Sequence, residues 1–253
     1  MDFTLQKYKE LLNALNSASY NFQTFEEFIQ QPKERSIVLR HDVDLLPLNS
    51  LAFARIQAKK KVAGTYYFRA VPKSWDEKVI REIASLGHEV GYHYECLTTT
   101  KGVLELGIQD FTSNLKALRL LTPVKTICMH GSPMSKYDSK DLWKQYNYKD
   151  YGIIAEPYFD VDYNDVYYVT DTGRKWDGHK TSVRDHVKTS FTNTYHSTDE
   201  IIQAIRQGAF PNQAMFTFHP QRWNNNFLKW SKELVLQNAK NVVKKHFYVN
   251  RQI

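Results

Sequence analysis

Cysteine is scarce in this chain. Cys96 and Cys128 are the only two among 253 residues, too few for a disulfide framework and without the spacing of a zinc finger, a usage that suits a reducing compartment. No apolar run approaches the roughly 18 residues of a membrane-spanning helix, so no such span is expected. The first ten residues, MDFTLQKYKE, lack the apolar stretch of roughly 7–15 residues found in a secretory signal, and a cytoplasmic chain is the expectation. Linkers rich in proline, glycine or serine, internal repeats and low-complexity tracts are all absent. A single domain over 1–253 is therefore expected. Also missing are a glycine-rich phosphate loop, a GxSxG nucleophile elbow and an HExxH helix, which sets aside three common catalytic plans.

What the chain does have is a globular balance, 42% hydrophobic and 24% charged residues, and enough length to bury a sizeable core. Its 34 Lys and Arg against 27 Asp and Glu give a net charge of +7, which favours anionic partners at long range. Nucleic-acid binders concentrate such an excess in a stripe. Here the densest clusters, 59–61 and 244–245, fall on amphipathic helices whose solvated faces account for them, so no nucleic-acid partner is expected. Sixteen Tyr, 14 Phe and 5 Trp supply flat rings suited to sugar stacking as well as to core packing.

Apolar residues at helical spacing over 3–15 and again over 25–29 form a helical lead-in that ends near residue 31. After Pro32 short apolar strands alternate with longer amphipathic stretches, the rhythm of βα units and a mainly parallel sheet. Strands are expected at 36–40, 64–68, 89–92, 125–129, 151–155, 166–170 and 214–218. Helices are expected near 48–61, 76–86, 104–121, 139–146, 198–207 and 227–245. The stretch 156–197, rich in Asp, Tyr and Thr and poor in helical periods, reads as loops or an added hairpin on the functional rim.

The chemistry collects where these strands end. SIVL leads into RHDVD, EVGY into HYE, TICM into HGSP, YYV into TDTGR and MFTF into HPQRW. In βα barrels and open α/β sheets such ends converge on the active site, and five of them carry His, Asp or Arg. Asp42 and Asp44, two apart in an extended chain, point to one side, so one can hold a metal while the other acts as a base. A structural account exists too: Asp44 capping the next helix and Asp42 pairing with Arg40. His93 and Glu95 follow their strand and His93 suits a divalent ion, whereas His88 precedes it and reads as a turn residue. Trp176 and Trp223 would suit a sugar ring or the core, Arg174 and Arg222 a phosphate or carboxylate. The string DVDYND at 160–165 fails as a calcium loop, with Asp165 where glycine is required.

RHDVD, followed some fifty residues later by GHEVGYH and finally by a strand ending in His219, resembles the NodB-type polysaccharide deacetylases, carbohydrate esterase family 4, over about 36–220. The resemblance implies a distorted (β/α) barrel of about seven strands, here with an N-terminal helical extension. It also implies one divalent metal, commonly zinc, and hydrolysis of an N-acetyl group on a sugar. By position it implies Asp42 as general base, Asp44 and His93 as metal ligands, His219 as general acid and Arg174 as the arginine that orients the base. Two departures stand out. Leu97 occupies the place of the family's second histidine, and MHGSP at 129–133 replaces its arginine-proline motif. His130 is the first choice for the missing third ligand and Glu95 the second; His130 could instead replace the arginine beside the base. Gly131 would offer a backbone N–H to an oxyanion.

The resulting expectation is a metal-dependent deacetylase acting on an acetylated amino sugar, nucleotide- or lipid-linked, in O-antigen- or capsule-like surface polysaccharide biosynthesis. Two other readings are a catalytically silent sugar-binding relative and a metal-dependent hydrolase of another C–N bond, such as a cyclic amide.

Overall fold

The computed structural model describes residues 1–132, 134–176 and 187–247, the last five of these by backbone alone. Helix α1 (Leu5–Ser17) starts at Thr4, whose side chain accepts the Lys7 N–H, and buries Tyr8, Leu11, Leu12 and Leu15. Strand β1 (Asn21–Gln23) leads into α2 (Phe25–Gln30), opened by a reciprocal capping box between Thr24 and Glu27. Strand β2 (Ser36–Val43) is buried at every position, as a central parallel strand must be. It feeds α3 (Pro47–Lys59), which places Pro47 in its first turn, where the missing N–H costs nothing.

The alternation continues with β3 (Thr65–Phe68), α4 (Glu77–Ser85), β4 (Glu89–Tyr94), α5 (Cys96–Thr99), α6 (Leu104–Arg119), β5 (Ile127–Met129), α7 (Pro157–Asp160), β6 (Tyr167–Thr170), α8 (Thr198–Arg206), β7 (Gln213–Phe218) and α9 (Phe227–Phe247). Asp76 caps α4 and Ser197 caps α8, and each helix turns an isoleucine-rich face inward, Ile80 and Ile83 in one and Ile201, Ile202 and Ile205 in the other. The sheet runs β5-β4-β3-β2-β7-β6, with β1 against the first half of β2. Every pairing is parallel, so all strand C-termini open on one rim. The fold is a curled parallel sheet wrapped by helices, an incomplete (β/α) barrel.

Most expected elements are present within a few residues of their predicted ends. Strand β1 was not expected; its three residues carry too little pattern to announce it. The strand expected at 151–155 shrinks to one bridge, Thr126 to Ala155. A 3-10 turn over Tyr148–Tyr151 ends at Gly152 with φ 69°, and Pro157 opens α7, which leaves no length for a ladder. The helix expected at 139–146 is a 3-10 turn, Ser139–Lys144. Within 156–197 lie α7, β6 and a turn at Thr172–Arg174; 177–186 lie outside the described residues, and 187–197 form no regular element.

One glycine is fixed by close approach. A Cβ on Gly91 would stand 2.3 Å from the Tyr67 ring and 2.9 Å from the Thr126 carbonyl oxygen. At the amino end, the Phe3 ring stacks on Trp176 at 5.9 Å and meets Trp223 edge-on at 5.2 Å. The Phe3 carbonyl accepts the Asn224 N–H, and the Asp2 carboxylate accepts the Thr198 N–H at 2.9 Å.

Candidate active site

Strand alternation puts Arg40 and Asp42 on one face of β2. They meet there through two hydrogen bonds, Arg40 Nε to Asp42 Oδ1 at 2.8 Å and Nη2 to Oδ2 at 2.7 Å. Burial pushes the Asp42 carboxyl up, but Arg40, by charge and hydrogen bond, together with His93 and His219 holds the group below its usual range. The arginine that pairs with Asp42 is therefore Arg40. Arg174, assigned that place by position, instead donates from Nη1 to the Trp230 carbonyl at 2.8 Å and lies over the Trp230 ring; the left-handed turn at Gly173 and Arg174 carries it away from Asp42.

Asp44 does not cap α3, whose first residue follows Leu46 with no side-chain cap. Its Oδ1 is buried without a hydrogen-bond donor and lies 3.6 Å from His93 Nε2 and 3.4 Å from His130 Nε2. These three ligand atoms all lie within 4.8 Å of one another. Opposing burial, the His130 ring and then His93 and His219 hold the Asp44 carboxyl well below the usual carboxylate range.

Both imidazoles are oriented from behind. His93 Nδ1 is 2.9 Å from the Cys128 carbonyl and can only donate to it, which leaves the Nε2 lone pair facing Asp44. His130 Nδ1 is 3.0 Å from Glu95 Oε2, and the same logic turns its Nε2 to the centre. Glu95 is itself gripped by Arg69, through Nε and Nη2 at 2.9 Å each. Burial raises the Glu95 carboxyl, but the hydrogen bond and charge of His130, and then Arg69, bring it down to about 2. Glu95 is thus placed behind His130 and not in the ligand trio. This carboxylate–histidine arrangement fixes a ring for metal binding. An aspartate and two imidazole nitrogens around an undonated carboxylate oxygen fit a divalent cation such as zinc.

A second trio, Asp42, His93 and Cys128, also converges. It is buried throughout, whereas the Asp44 and His130 side chains are 17% and 14% exposed, so only the Asp44 trio opens to a substrate. Leu97, where the family's second histidine would stand, is buried in the core.

His219, directly after β7, closes the other side. Its Nδ1 is 2.6 Å from Asp171 Oδ1 and its backbone N–H also donates to that carboxylate, while Nε2 lies 3.9 Å from Asp44 Oδ2. Asp171, fully buried after β6, takes further hydrogen bonds from Arg222 Nη1 at 3.0 Å and Trp223 Nε1 at 2.6 Å. Despite burial, His219 and Arg222 keep its carboxyl below the usual range. Arg222 and Trp223 accordingly serve Asp171, and the structure does not present them to a ligand. Trp176 likewise packs inward on Phe3 and donates to Thr198 Oγ1. Gly131 directly follows His130 on the rim and is half-buried. Neighbouring Gln221 donates to Asp44 Oδ2 at 3.2 Å.

Sequence reasoning missed Asp171, Arg69 and Gln221. Asp171 and Gln221 sit in the TDTGR and HPQRW strings already singled out, and Arg69 ends a sixth strand, β3, overlooked because its motif YYFRA carries a single charge. His88 is structural as expected, accepting the Gly64 N–H and bonded to the Ala54 carbonyl at the opposite end of the sheet.

No protein-family model and no curated protein sequence matches the chain. Solved structures do. BA3943 from Bacillus anthracis, described as a CE4 family pseudoenzyme, is 12% identical with a TM-score of 0.45, over 85% of this chain and 63% of that one. The peptidoglycan deacetylase PdaC from Bacillus subtilis is 14% identical with a TM-score of 0.41, over 85% of this chain and 99% of that one. The Xyl-CE4 domain of a multidomain xylanase from the hindgut metagenome of Trinervitermes trinervoides is 13% identical with a TM-score of 0.41, over 82% and 85%. The chain spans less than two thirds of the length of BA3943. Two of these three solved structures are described as CE4, one of them as a pseudoenzyme, and the third as a peptidoglycan deacetylase.

Proposed function

We propose that the protein is a metal-dependent hydrolase that removes an N-acetyl group from an acetamido sugar. The observation that carries the reading is the convergence of Asp44 Oδ1, His93 Nε2 and His130 Nε2 between a base held by an arginine and a histidine held by an aspartate. Asp44, His93 and His130 would hold one divalent ion, zinc by the chemistry of its donors, which supplies Lewis-acid polarisation of the acetyl carbonyl.

The chain's own groups do the rest. Asp42, kept ionised at neutral pH by Arg40 together with His93 and His219 against its burial, accepts the proton of the attacking water. His219 keeps its Nδ1–H on Asp171 and turns Nε2 to the centre, where it delivers a proton to the departing amine. The Gly131 N–H, next in the chain to His130, would help hold the oxyanion. Acetate and the free amino sugar are the products. The excess of seven positive charges suits a nucleotide- or lipid-linked sugar phosphate, a substrate of cytoplasmic surface-polysaccharide assembly.

The test combines metal content with acetate release from N-acetylated sugar nucleotides and chitooligosaccharides. The expected result is about one divalent ion per chain, as for a three-ligand catalytic site, with acetate release that stops in Asp42→Asn. Metal-free protein after incubation with zinc, cobalt or manganese, binding sugar with no acetate released, would instead make it a silent sugar-binding relative.

A further inference from the structure

Helix α9 exposes more apolar side chain than it buries: on its inward side Trp230 and Leu234 are only half-buried. Its buried positions, Gln237 and Asn241, are polar; Gln237 donates to Asn241, which donates to the Gly173 carbonyl at 2.9 Å. Apolar residues take the outside: Leu228 is 77% exposed, Val235 67%, Leu236 45% and Val242 59%. A surface helix of a globular domain has the reverse polarity.

The exposed residues are in register. Leu228, Val235 and Val242 recur every seven residues, a step that drifts by only ~20° around a helix. They therefore form one row about 21 Å long at 1.5 Å per residue. Leu236 widens the row, Lys232 interrupts it, and Lys229 and Lys240, eleven apart, fall together along one flank. All three lysines are exposed. Over Phe227–Phe247 the sequence carries five lysines and one acid, Glu233, and that acid sits near Arg174 on the inward side. Glu233, one turn from Lys229, is half-buried and is the one acid of the helix beside the lysine flank.

We infer that α9 docks the protein on an anionic lipid surface, lying in the interface with Leu228, Val235, Leu236 and Val242 inserted and its lysines among the headgroups. The charge pattern selects this occupant. A second copy would bring lysine flank against lysine flank, with only the half-buried Glu233 to answer them. An apolar row bordered by lysines is the composition that binds in the plane of an anionic bilayer. No described helix is long and apolar enough to cross a membrane, so the helix lies on the surface. The contact would reach the catalytic rim, because α9 follows His219 and Arg222 closely in the chain and is anchored at Gly173, two residues from Asp171. The docking does not depend on the reaction proposed above.

Sedimentation of the full chain with phosphatidylcholine vesicles, with and without phosphatidylglycerol, tests this. Wild type is expected to partition about tenfold more strongly onto the anionic vesicles and to come off at high salt. Val235→Asp with Leu236→Asp, and separately Lys229→Glu with Lys240→Glu, are expected to abolish binding while thermal melting stays unchanged, since these side chains are exposed. Wild type that stays in solution with anionic vesicles overturns the proposal, as does binding that survives both substitutions. So does a dimer in light scattering that Val235→Asp with Leu236→Asp breaks, which would assign the row to a second copy.

Discussion

Arg40 and Asp42 grip each other from two positions on one face of a single strand, through bonds of 2.8 and 2.7 Å with both side chains buried. A single strand thus supplies the proposed base together with its orienting cation, through the local geometry of β2. Replacing Arg40 by Met leaves a buried carboxylate alone, a change that typically costs about 3–5 kcal/mol. Burial then acts on Asp42 without its main opposing charge, so the carboxyl rises. The acid limb of kcat/KM is expected to move to higher pH, read from a pH–rate profile beside a urea melt. Arg40→Lys, which keeps the charge without the fork, should show the smaller shift of the two.

Asp171 places no atom in the metal trio, yet it sets which nitrogen of His219 faces the centre. Asp171→Asn should therefore leave metal content intact while kcat falls by about 10³-fold or more, as when the aspartate behind a catalytic histidine is neutralised. Metal analysis and steady-state kinetics on the same preparation separate the two effects. Metal loss in Asp171→Asn would move this residue from the acid to the ion.

Glu95 and His130 offer a graded comparison. His130→Ala removes a proposed ligand and should empty the site. Glu95→Gln removes only the group behind the ring, which typically weakens metal affinity by about 10–100-fold. Competition with a chelator should rank wild type above Glu95→Gln and Glu95→Gln above His130→Ala. Equal losses would make Glu95 a ligand.

Stability should depend on pH through Glu156. This carboxyl is fully buried, accepts the Met129 and Tyr158 N–H groups, and is pushed by burial up to about 7 from 4.5. Because the folded pKa is the higher one, the contribution to stability is complete below about pH 4.5. It is lost as pH rises to 7 and beyond, a change on the order of 3 kcal/mol. Denaturant melts between pH 4 and pH 9 should show Glu156→Gln with a flatter profile than wild type, and a parallel profile would refute the assignment.

Much of the architecture was legible because βα units write their period into the sequence. The inward aliphatic faces of α4 and α8 and the short apolar runs within the β strands are local signals. So were the strand ends: Asp42, Asp44, His93, His130 and His219 are brought together on one rim. What the sequence concealed was partnership. Arg174 and Arg40 are equally plausible companions of Asp42 by residue type, and only the strand face decides between them. Trp176, Arg222 and Trp223 carry the chemistry of sugar and phosphate recognition, but a buried Asp171 and the Phe3 ring claim them. Strand β1 and the lost strand at 151–155 lie at the limit where three or four residues carry no periodicity.

Phe3 gives the amino end a role beyond sealing the core. Its ring rests on Trp223, Trp223 donates to Asp171, and Asp171 holds His219. Four side chains thus join the third residue of the chain to the proposed proton donor more than two hundred residues away. Trimming the leading residues, or forcing them aside with an appended peptide, would be an active-site lesion delivered from a terminus.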